Sequence, residues 1–243
     1  MDKPRIVVDK LSHTYPDGWQ VLSNLSFSIQ AGTTVALAGA NGSGKTTLLW
    51  LIAGILEASQ GSIHIDEIPL NRGTVRQIQR KIGLAFQNPE DQLFMATVRQ
   101  DVEFGPRNLH YSEQEIETRA TEAMEKTGCL HLAERPPYRL SGGEKRLVSL
   151  ATILATDAEI LLLDEPTNAL DPRSRRNTIN LLRSLPHTKL IATHDLDLAL
   201  ELCDEVILLH QGTLAARGTA QQILKDRLLL ESAGLELPLS LQR

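Results

Sequence analysis

The sequence has few of the features that mark secreted or membrane-spanning chains. Its 243 residues include only two cysteines, Cys129 and Cys203, which are too few for a disulfide scaffold and fit small core positions in a reducing cytosol. No apolar run reaches the ~18 residues that span a bilayer, and the longest candidate, Leu48–Leu56, is interrupted by Gly54. The first residues lack the apolar core of a signal peptide. We therefore expect a soluble chain that would need a partner for any work at a membrane.

Charge of neither sign dominates the chain. Thirty acidic and 25 basic side chains are scattered along it and give a formal net charge of −5. Duplex DNA or RNA usually selects a basic face, so we expect no nucleic-acid partner. The apolar fraction of 42% is typical of a packed globular protein, and 243 residues suit one large α/β domain or a core with a small insertion.

The first third of the chain is predicted to alternate between strands and helices. A helix is expected from Lys45 to Ile55, because Leu48, Leu51, Ile52 and Ile55 fall on one helical face. Short strands are predicted at Ile6–Val8, Leu11–Tyr15, Leu25–Ile29, Thr34–Ala38 and Ser62–Asp66, with a tight turn at Pro16–Gly18.

The middle of the chain, about residues 95–150, is predicted to be mostly helical. Ser112–Glu115 reads as a capping box at the start of a helix that runs to Lys126 and stops near Gly128. A second helix is expected over Leu140–Ala155, with Leu147, Leu150, Ala151 and Leu154 on its apolar face.

The last part returns to alternating elements. Buried strands are predicted at Ile160–Asp164, Leu190–Thr193 and Val206–Leu209, and helices at Arg173–Leu185 and Asp197–Leu202. Strands separated by helices in this way favour a parallel sheet with right-handed crossovers. The leucine-rich tail after Lys225 is expected to form a short helix.

A glycine-rich loop between the strand ending at Ala38 and the helix beginning near Lys45 carries the strongest chemical signal. The loop fits the phosphate-binding pattern G-x-x-x-x-G-K-[ST] without a mismatch. Its glycines let backbone N–H groups surround a phosphate, Lys45 can reach the β and γ phosphates, and Thr46 can ligate Mg²⁺. A merely flexible loop is the alternative, but both flanking elements favour phosphate binding. The predicted contacts are Gly39, Asn41, Gly42, Ser43, Gly44, Lys45, Thr46 and Thr47.

Polar side chains also follow the other predicted strands. Asp164 and Glu165 end an apolar strand, where α/β sheets line their ligand crevices. Asp164 could hold Mg²⁺ through water, and Glu165 could act as the general base on the attacking water. His194 follows another buried strand and could bond the γ-phosphate. Gln87, taken alone, reads as an ordinary loop amide.

A second glycine motif, Leu140–Glu144, lies at the start of a predicted helix, and Ser141 follows Lys45 by 96 residues. Helix starts attract anions. One nucleotide needs only one phosphate loop, so this motif is either an ordinary helix cap or a second anion site.

Together these motifs resemble the nucleotide-binding subunits of ABC transporters, and the resemblance runs from about Val7 to about Gln222. It implies ATP as the substrate and Mg²⁺ as the cofactor, with Glu165, His194 and Gln87 as catalytic residues. Thr46, Gln87 and, through water, Asp164 would be the metal ligands. The resemblance also matches Tyr15 to the aromatic residue that stacks on adenine, Ala169–Asp171 to the D-loop, Leu140–Glu144 to the signature and Ile160–Glu165 to Walker B.

The family's architecture follows from the same resemblance. It implies an α/β P-loop fold of ABC type, with a mainly parallel core sheet flanked by helices, an N-terminal antiparallel β subdomain and an inserted helical subdomain at about 95–155. The ATP-binding domain is expected to cover residues 1–225, and residues 226–243 a short tail.

Two subunits of this family face head to tail, which would explain the second glycine motif. Ser141, Gly142 and Gly143 of one subunit would then contact the ATP of the other, in a homodimer or in a heterodimer with a related ATPase. The chain departs from the family at Glu144, which replaces the commoner glutamine, and at Ala40, which replaces the commoner proline. Neither change removes a phosphate contact made by the backbone or a hydroxyl.

A closer resemblance lies in Phe86–Phe94 and the following Thr97–Pro106, which are similar to the energy-coupling-factor ATPases that drive uptake of vitamins and of cobalt or nickel ions. It implies a transmembrane coupling subunit, a substrate-binding membrane subunit and a peripheral location on the cytoplasmic face of the membrane. Asp91, Gln92 and Phe94 would meet the coupling subunit, although a solvated loop with one buried aromatic is an alternative.

The cobalt or nickel branch is the leading expectation, with a vitamin importer or another ABC importer next. The seven histidines show no ligand-like cluster for a transported metal. Soluble ABC proteins fit less well: those of DNA repair insert a long coiled coil between the two glycine motifs, and those of translation usually carry two cassettes.

Overall fold

The computed structural model describes residues 3–242, which form ten strands and nine α-helices. The strands are β1 (Pro4–Thr14), β2 (Gln20–Gln30), β3 (Thr34–Ala38), β4 (Gln60–Ile65), β5 (Ile68–Pro69), β6 (Ile82–Ala85), β7 (Ile160–Asp164), β8 (Thr188–Thr193), β9 (Glu205–His210) and β10 (Thr213–Thr219). The helices are α1 (Lys45–Ile52), α2 (Val75–Gln79), α3 (Val98–Asn108), α4 (Glu113–Thr127), α5 (Gly142–Leu154), α6 (Pro172–Ser184), α7 (Leu196–Leu202), α8 (Ala220–Leu224) and α9 (Arg227–Ser232).

The chain divides into two compact units. The terminal unit combines the described residues up to Gln79 with those from His187 onward, and the middle unit is Arg80–Pro186. The terminal unit holds strands β1–β5 and β8–β10 with helices α1, α2 and α7–α9, whereas the middle unit holds β6, β7 and α3–α6.

The terminal unit begins with an antiparallel sheet of strand order β2-β1-β4-β5. The prediction of two separate strands, Ile6–Val8 and Leu11–Tyr15, is wrong, because β1 runs unbroken from Pro4 to Thr14. A register shift against β2 lies between Val8 and Leu11, and Lys10 there has a φ of 48°. The bulge interrupts the alternation of apolar residues, so one bulged strand reads as two short ones.

The predicted turn between β1 and β2 is confirmed. The Gly18 N–H donates to the Tyr15 carbonyl at 2.9 Å, and Gly18 has a φ of 89°.

The second sheet segment of the terminal unit has the order β10-β9-β3-β8. β3 pairs in parallel with both β8 and β9, which confirms the parallel arrangement expected from alternating strands and helices. Every residue of β3 and β8 is buried, and the apolar runs Val35–Ala38 and Leu190–Ala192 form most of the two strands. β10 pairs antiparallel with β9 and was not predicted, since its side chains are small or polar and half exposed.

Helix α1 is shorter than predicted. It ends at Ile52, and Gly54 follows with a φ of 68°. The side chain of Ile55, expected on the buried face, is 51% exposed. A glycine in the left-handed region ends a helix readily, and the apolar residues beyond it cannot continue the helical face.

The middle unit packs α3, α4 and α5 around an apolar cluster that includes Val102, Met124, Cys129 and Val148. The capping box of α4 is confirmed, with Ser112 and Glu115 bonded reciprocally, and so is its stop at Gly128, which has a φ of 74°. β6 and β7 pair in parallel in the same unit.

Helix α5 differs from the prediction at its start and on its buried face. It begins at Gly142, with Ser141 as the N-cap, rather than at Leu140. Leu150 and Ala151 are buried as expected, but Leu147 and Leu154 are only partly buried. Arg146 is buried in a position that an apolar face would reserve for a hydrophobic residue.

Both cysteines are free thiols in the core, as expected. The tail contains α9, as predicted. Beyond α9, the N–H groups of Leu239 and Ser240 donate to the Asp197 carboxylate at 2.9 and 3.0 Å, which fixes the end of the tail to α7. No helix within the described range is long and apolar enough to cross a membrane.

Candidate functional site

The glycine-rich loop of the terminal unit leaves the end of β3 and enters α1 at Lys45. Gly42 and Gly44 have φ values of 79° and 100°, in the region that favours glycine. A Cβ on Gly39 would lie 2.5 Å from Ser43 Oγ and 2.6 Å from the Leu209 carbonyl oxygen. Close packing therefore requires glycine at position 39, and the backbone conformation favours glycine at positions 42 and 44.

The start of α1 combines several groups that suit a phosphate. Lys45 is buried, and its Nζ donates to the carbonyls of Gly39 at 2.8 Å and Ala40 at 3.1 Å, so the cation is held on the loop. The Ser43 hydroxyl is buried and has no hydrogen-bond partner among the described residues. The first turn of α1 holds no acidic residue, so nothing there opposes an anion at the positive end of the helix.

Tyr15 lies close to the same helix. Its hydroxyl and Thr47 Oγ1 are 3.0 Å apart and share a hydrogen bond. Its ring stacks on Trp19, with a centroid distance of 6.0 Å and an interplanar angle of 19°, and Trp19 is 57% exposed. Trp19 could not be predicted as a neighbour of Tyr15, because only the return of the chain after Gly18 places the two rings together.

His194 follows β8 at the edge from which the glycine-rich loop leaves β3. Thr193, the last residue of β8, pairs with Ala38, the last residue of β3. The helix cap that follows is made by Asp195, whose carboxylate accepts the Leu198 N–H at 2.9 Å. His194 itself is exposed, and its neighbour rather than His194 caps the helix.

In the middle unit, Gln87 and the two acidic residues also follow paired strands. Ala85 of β6 pairs with Leu163 of β7. Asp164 and Glu165 are both buried, whereas Gln87 is exposed. Glu165 has a φ of 45°, a left-handed conformation that is strained for a residue with a side chain.

The buried Arg146 connects these strand ends. Its guanidinium donates to the carbonyls of Phe86 at 2.8 Å, Gln87 at 2.6 Å and Glu165 at 3.4 Å. Burial lowers the pKa of Arg146 to about 10, against the raising effect of the negative charges of Asp164 and Glu165, so the side chain stays cationic at neutral pH. No local pattern around Arg146 predicts this role, because its acceptors lie far away along the chain.

Ser141 caps α5 through a reciprocal capping box with Glu144. Its hydroxyl accepts the Glu144 N–H at 3.3 Å, and Glu144 Oε2 accepts the Ser141 N–H at 2.8 Å. The Ser141 N–H and hydroxyl both donate to Glu144 Oε2, and these two bonds hold the pKa of Glu144 below its ordinary value. Because glutamate and glutamine both complete such a box, the local geometry accommodates the departure at Glu144.

Gly143 is required by packing within the same unit. A Cβ there would lie 2.4 Å from Ser174 Oγ, at the start of α6. That start is capped by Asp171, whose carboxylate accepts the N–H groups of Arg173 and Ser174 at 3.0 and 3.1 Å.

The residues expected at a partner surface separate into two kinds. Asp91 is exposed, and Phe94 is 62% exposed and stacks edge-on against Phe104 with centroids 5.0 Å apart. Gln92 instead turns inward, where its amide donates to the Ser149 carbonyl at 3.0 Å and to Thr152 Oγ1 at 2.6 Å. Gln92 therefore fixes the segment to α5.

Comparison with known proteins decides the family. The ABC transporter family model matches residues 22–168, more than half of the chain and including both glycine motifs and the buried acidic pair. The chain belongs to the ABC transporter ATP-binding family. As such it is an ABC ATPase, an enzyme that hydrolyses ATP for transport.

Relatives of this ABC ATPase cover almost its whole length. A putative ABC transporter ATP-binding protein of Geobacter sulfurreducens is 47% identical over 98% of this chain and 95% of its own. The energy-coupling factor transporter ATP-binding protein EcfA2 of Methanospirillum hungatei is 41% identical over 99% of this chain and 62% of its own length.

Two solved structures are similar throughout. CbiO1 of Clostridium perfringens, part of the ABC transporter complex cbiONQ, is 34% identical with a TM-score of 0.85 over 95% of this chain and 94% of its own. The dimeric post-hydrolysis ATP-binding cassette MJ0796 with ADP and Pi is 29% identical with a TM-score of 0.80 over 88% and 98% of the two chains.

These matches confirm the predicted fold class for this ABC ATPase: an ABC-type P-loop α/β fold with an N-terminal antiparallel sheet, a mainly parallel core sheet and a helical insert.

Among residues 3–242, no group of three or more histidine, cysteine or acidic side chains could hold a metal ion.

Asp101, on α3, anchors the segment that carries Phe94. Its Oδ1 accepts the N–H groups of Phe94 at 3.0 Å and Met95 at 3.1 Å, and the residue is 3% exposed. Burial raises the pKa of this carboxyl above its ordinary value, although the two backbone donors act in the opposite direction.

We predict that Asp101→Asn changes how the stability of this ABC ATPase depends on pH. The raised folded pKa means that the wild type loses stability as pH rises from the ordinary Asp value through the folded value, because the native state must then hold a buried charge. Asparagine keeps an acceptor without titrating. The urea midpoint of Asp101→Asn, measured relative to that of wild type, should therefore increase as pH rises through this window.

The exposed Asp91→Asn change controls for the loss of one negative charge in the same measurement. A constant difference between Asp101→Asn and wild type at all pH values would contradict the predicted titration.

Proposed function

We propose that this ABC ATPase is the motor subunit of an energy-coupling-factor importer for cobalt or nickel ions. The segment Phe86–Pro106 carries the proposal, because its sequence resembles that of energy-coupling-factor ATPases. Its outward side chains, Asp91 and Phe94, are exposed on a backbone that Gln92 and Asp101 hold by hydrogen bonds. The similarity to EcfA2 and to cbiO1 supports the same assignment.

A vitamin importer of the same type is the second candidate, favoured by the fact that the segment's resemblance covers both branches. The cargo would bind the membrane subunits, and these partners would hold this ABC ATPase at the cytoplasmic face of the membrane. Copurification from native membranes, followed by uptake of radiolabelled cobalt, nickel or vitamins in vesicles, tests the choice. Uptake of a vitamin but of neither metal ion would overturn the first assignment.

ATP handling in this proposal follows the positions of the motifs. The loop Gly39–Thr47, which includes Lys45, holds the phosphates, and Tyr15 stacks on adenine. His194 contacts the γ-phosphate, and Glu165 takes a proton from the attacking water. Three observations support the phosphate assignment: Lys45 is buried, the Ser43 hydroxyl has no hydrogen-bond partner within residues 3–242, and the first turn of α1 holds no acidic residue.

We assign Mg²⁺ to oxygen donors on Thr46 and Gln87 and, through water, on Asp164. Hydroxyl, amide and carboxylate oxygens are the donors that Mg²⁺ prefers, and few of them are needed because substrate phosphates complete its coordination. When bound, the ion would neutralise charge that develops on the phosphate oxygens.

A pair of cassettes is the proposed active form, as a homodimer or a heterodimer with a related ATPase. Ser141, Gly142 and Gly143 would contact the ATP held by the partner, as in the dimeric cassette MJ0796 by analogy. ATP closes the pair and hydrolysis opens it, and the segment containing Asp91 and Phe94 transmits this motion to a transmembrane coupling subunit.

Glu165→Gln should retain ATP binding, lower turnover by about 10²–10⁴-fold through loss of the general base, and trap a dimer in ATP. Size-exclusion chromatography with ATP and a phosphate-release assay measure the two effects. Glu159→Gln is the matched control, since Glu159 immediately precedes the same strand at its other end. A monomer at saturating ATP would refute the two-cassette site.

Ser141→Arg should abolish hydrolysis and leave ATP binding by the single subunit nearly intact, because a bulky cation would block the partner's nucleotide. Ser112→Arg breaks an equivalent capping box on α4 and controls for the lost cap, which costs about 1 kcal/mol. Binding is measured by calorimetry and turnover by phosphate release. If Ser141→Arg loses ATP binding and Ser112→Arg retains it, the motif contacts the nucleotide of its own chain.

Replacing Asp91 and Phe94 by alanine should uncouple transport while leaving basal ATP hydrolysis unchanged, because both side chains are exposed and Gln92 bonds Ser149 and Thr152 instead. Tyr138→Ala, which removes an aromatic side chain that is 75% exposed in the same unit, is the control. Uptake by the reconstituted complex and its ATPase rate are compared. Unchanged transport would contradict the docking assignment.

A further inference from the structure

We infer that Arg146 is a positioning residue for ATP hydrolysis: its buried guanidinium fixes the backbone at Gln87 and Glu165 relative to the signature helix α5. The inference rests on the proposed roles of Gln87 and Glu165. Arg146 would act on hydrolysis only through those two residues.

The geometry joins three separate parts of the middle unit at one side chain. Arg146 lies one turn into α5, next to Lys145, and is 1% exposed. Its Nη1 donates to the Phe86 carbonyl at 2.8 Å, and its Nη2 donates to the carbonyls of Gln87 at 2.6 Å and Glu165 at 3.4 Å. The planar fork of a guanidinium can serve several carbonyls in fixed directions, which an ammonium cannot do.

A core position gains little stability from such a residue. Burial of the cation is unfavourable, as the lowered pKa of about 10 records. Arg146 Nε is also buried without a hydrogen-bond partner in the described part of the chain. Even a whole buried ion pair can often be replaced by well-packed apolar residues at no loss of stability. The directed hydrogen bonds are therefore the property that an apolar residue could not supply.

Glu165 is the residue that most needs such a constraint. Its φ of 45° is unfavourable for a side chain other than glycine, so the backbone would relax if nothing held it. The bond from Arg146 to its carbonyl restrains that conformation. Small displacements of a catalytic group cost about 10²-fold in rate per ångström, so loss of this restraint should appear in turnover.

Other contacts of α5 provide an internal comparison. Lys145 pairs with Glu90, and Gln92 bonds Ser149 and Thr152, so α5 also holds the segment beyond Gln87. These contacts do not reach Glu165. Breaking the Lys145–Glu90 pair should loosen the exposed segment without disturbing the catalytic backbone.

The experiment compares Arg146→Met, Arg146→Lys and Lys145→Met in the full chain. Arg146→Met should lower the Tm, because three backbone carbonyls lose their donor. At a temperature where it is folded, it should bind ATP with an unchanged Kd and lose about 10–100-fold in kcat. Arg146→Lys keeps the charge but not the fork and should lose a similar factor. Lys145→Met should retain wild-type kcat. Should Arg146→Met fail to fold, Arg146→Lys carries the same comparison of kcat with Kd.

A double-mutant cycle separates positioning from an independent effect. If Arg146 acts through Glu165, Arg146→Met should lower the residual single-turnover rate of Glu165→Gln much less than it lowers that of wild type. Additive losses, or wild-type kcat in a folded Arg146→Met or Arg146→Lys chain, would overturn the inference. Failure of the proposed function itself would appear differently, as equal turnover in Glu165→Gln and wild type.

Discussion

Parallel pairing of short, largely buried strands is the constraint on which both functional regions depend. β3 and β8 end at directly paired residues, so the glycine-rich loop and His194 leave the terminal unit's sheet at one edge. β6 and β7 do the same in the middle unit for Gln87 and the acidic pair. Loops at the carboxyl ends of parallel strands can carry polar groups while the strands stay apolar, which is why this arrangement supports a ligand site.

Local patterns predicted the parts whose chemistry is local. The fixed spacing of the glycine-rich loop, the capping box at Ser112 and the stop at Gly128 each depend on a few neighbouring residues, and the structure has them as expected. The boundary of α1 was wrong for a related reason: the apolar spacing continued to Ile55, while the backbone at Gly54 had already left the helix.

Contacts between distant segments explain what the sequence could not show. Arg146 bonds backbone carbonyls 60, 59 and 19 residues away, and a charged residue on a helix ordinarily reads as exposed. Gln92 was expected to face a partner, yet it is committed to Ser149 and Thr152 of α5. The family resemblance named the motifs but not the polar network that joins them.

The stacked pair of Tyr15 and Trp19 also gives the chain an optical property. Of its two tryptophans, Trp50 lies on α1 and is half buried, whereas Trp19 is exposed and lies against the tyrosine ring. Indole emission depends on solvent and on neighbouring aromatic rings. The unmodified protein therefore carries its own fluorescent reporter beside the glycine-rich loop, and Trp50→Phe would isolate its signal.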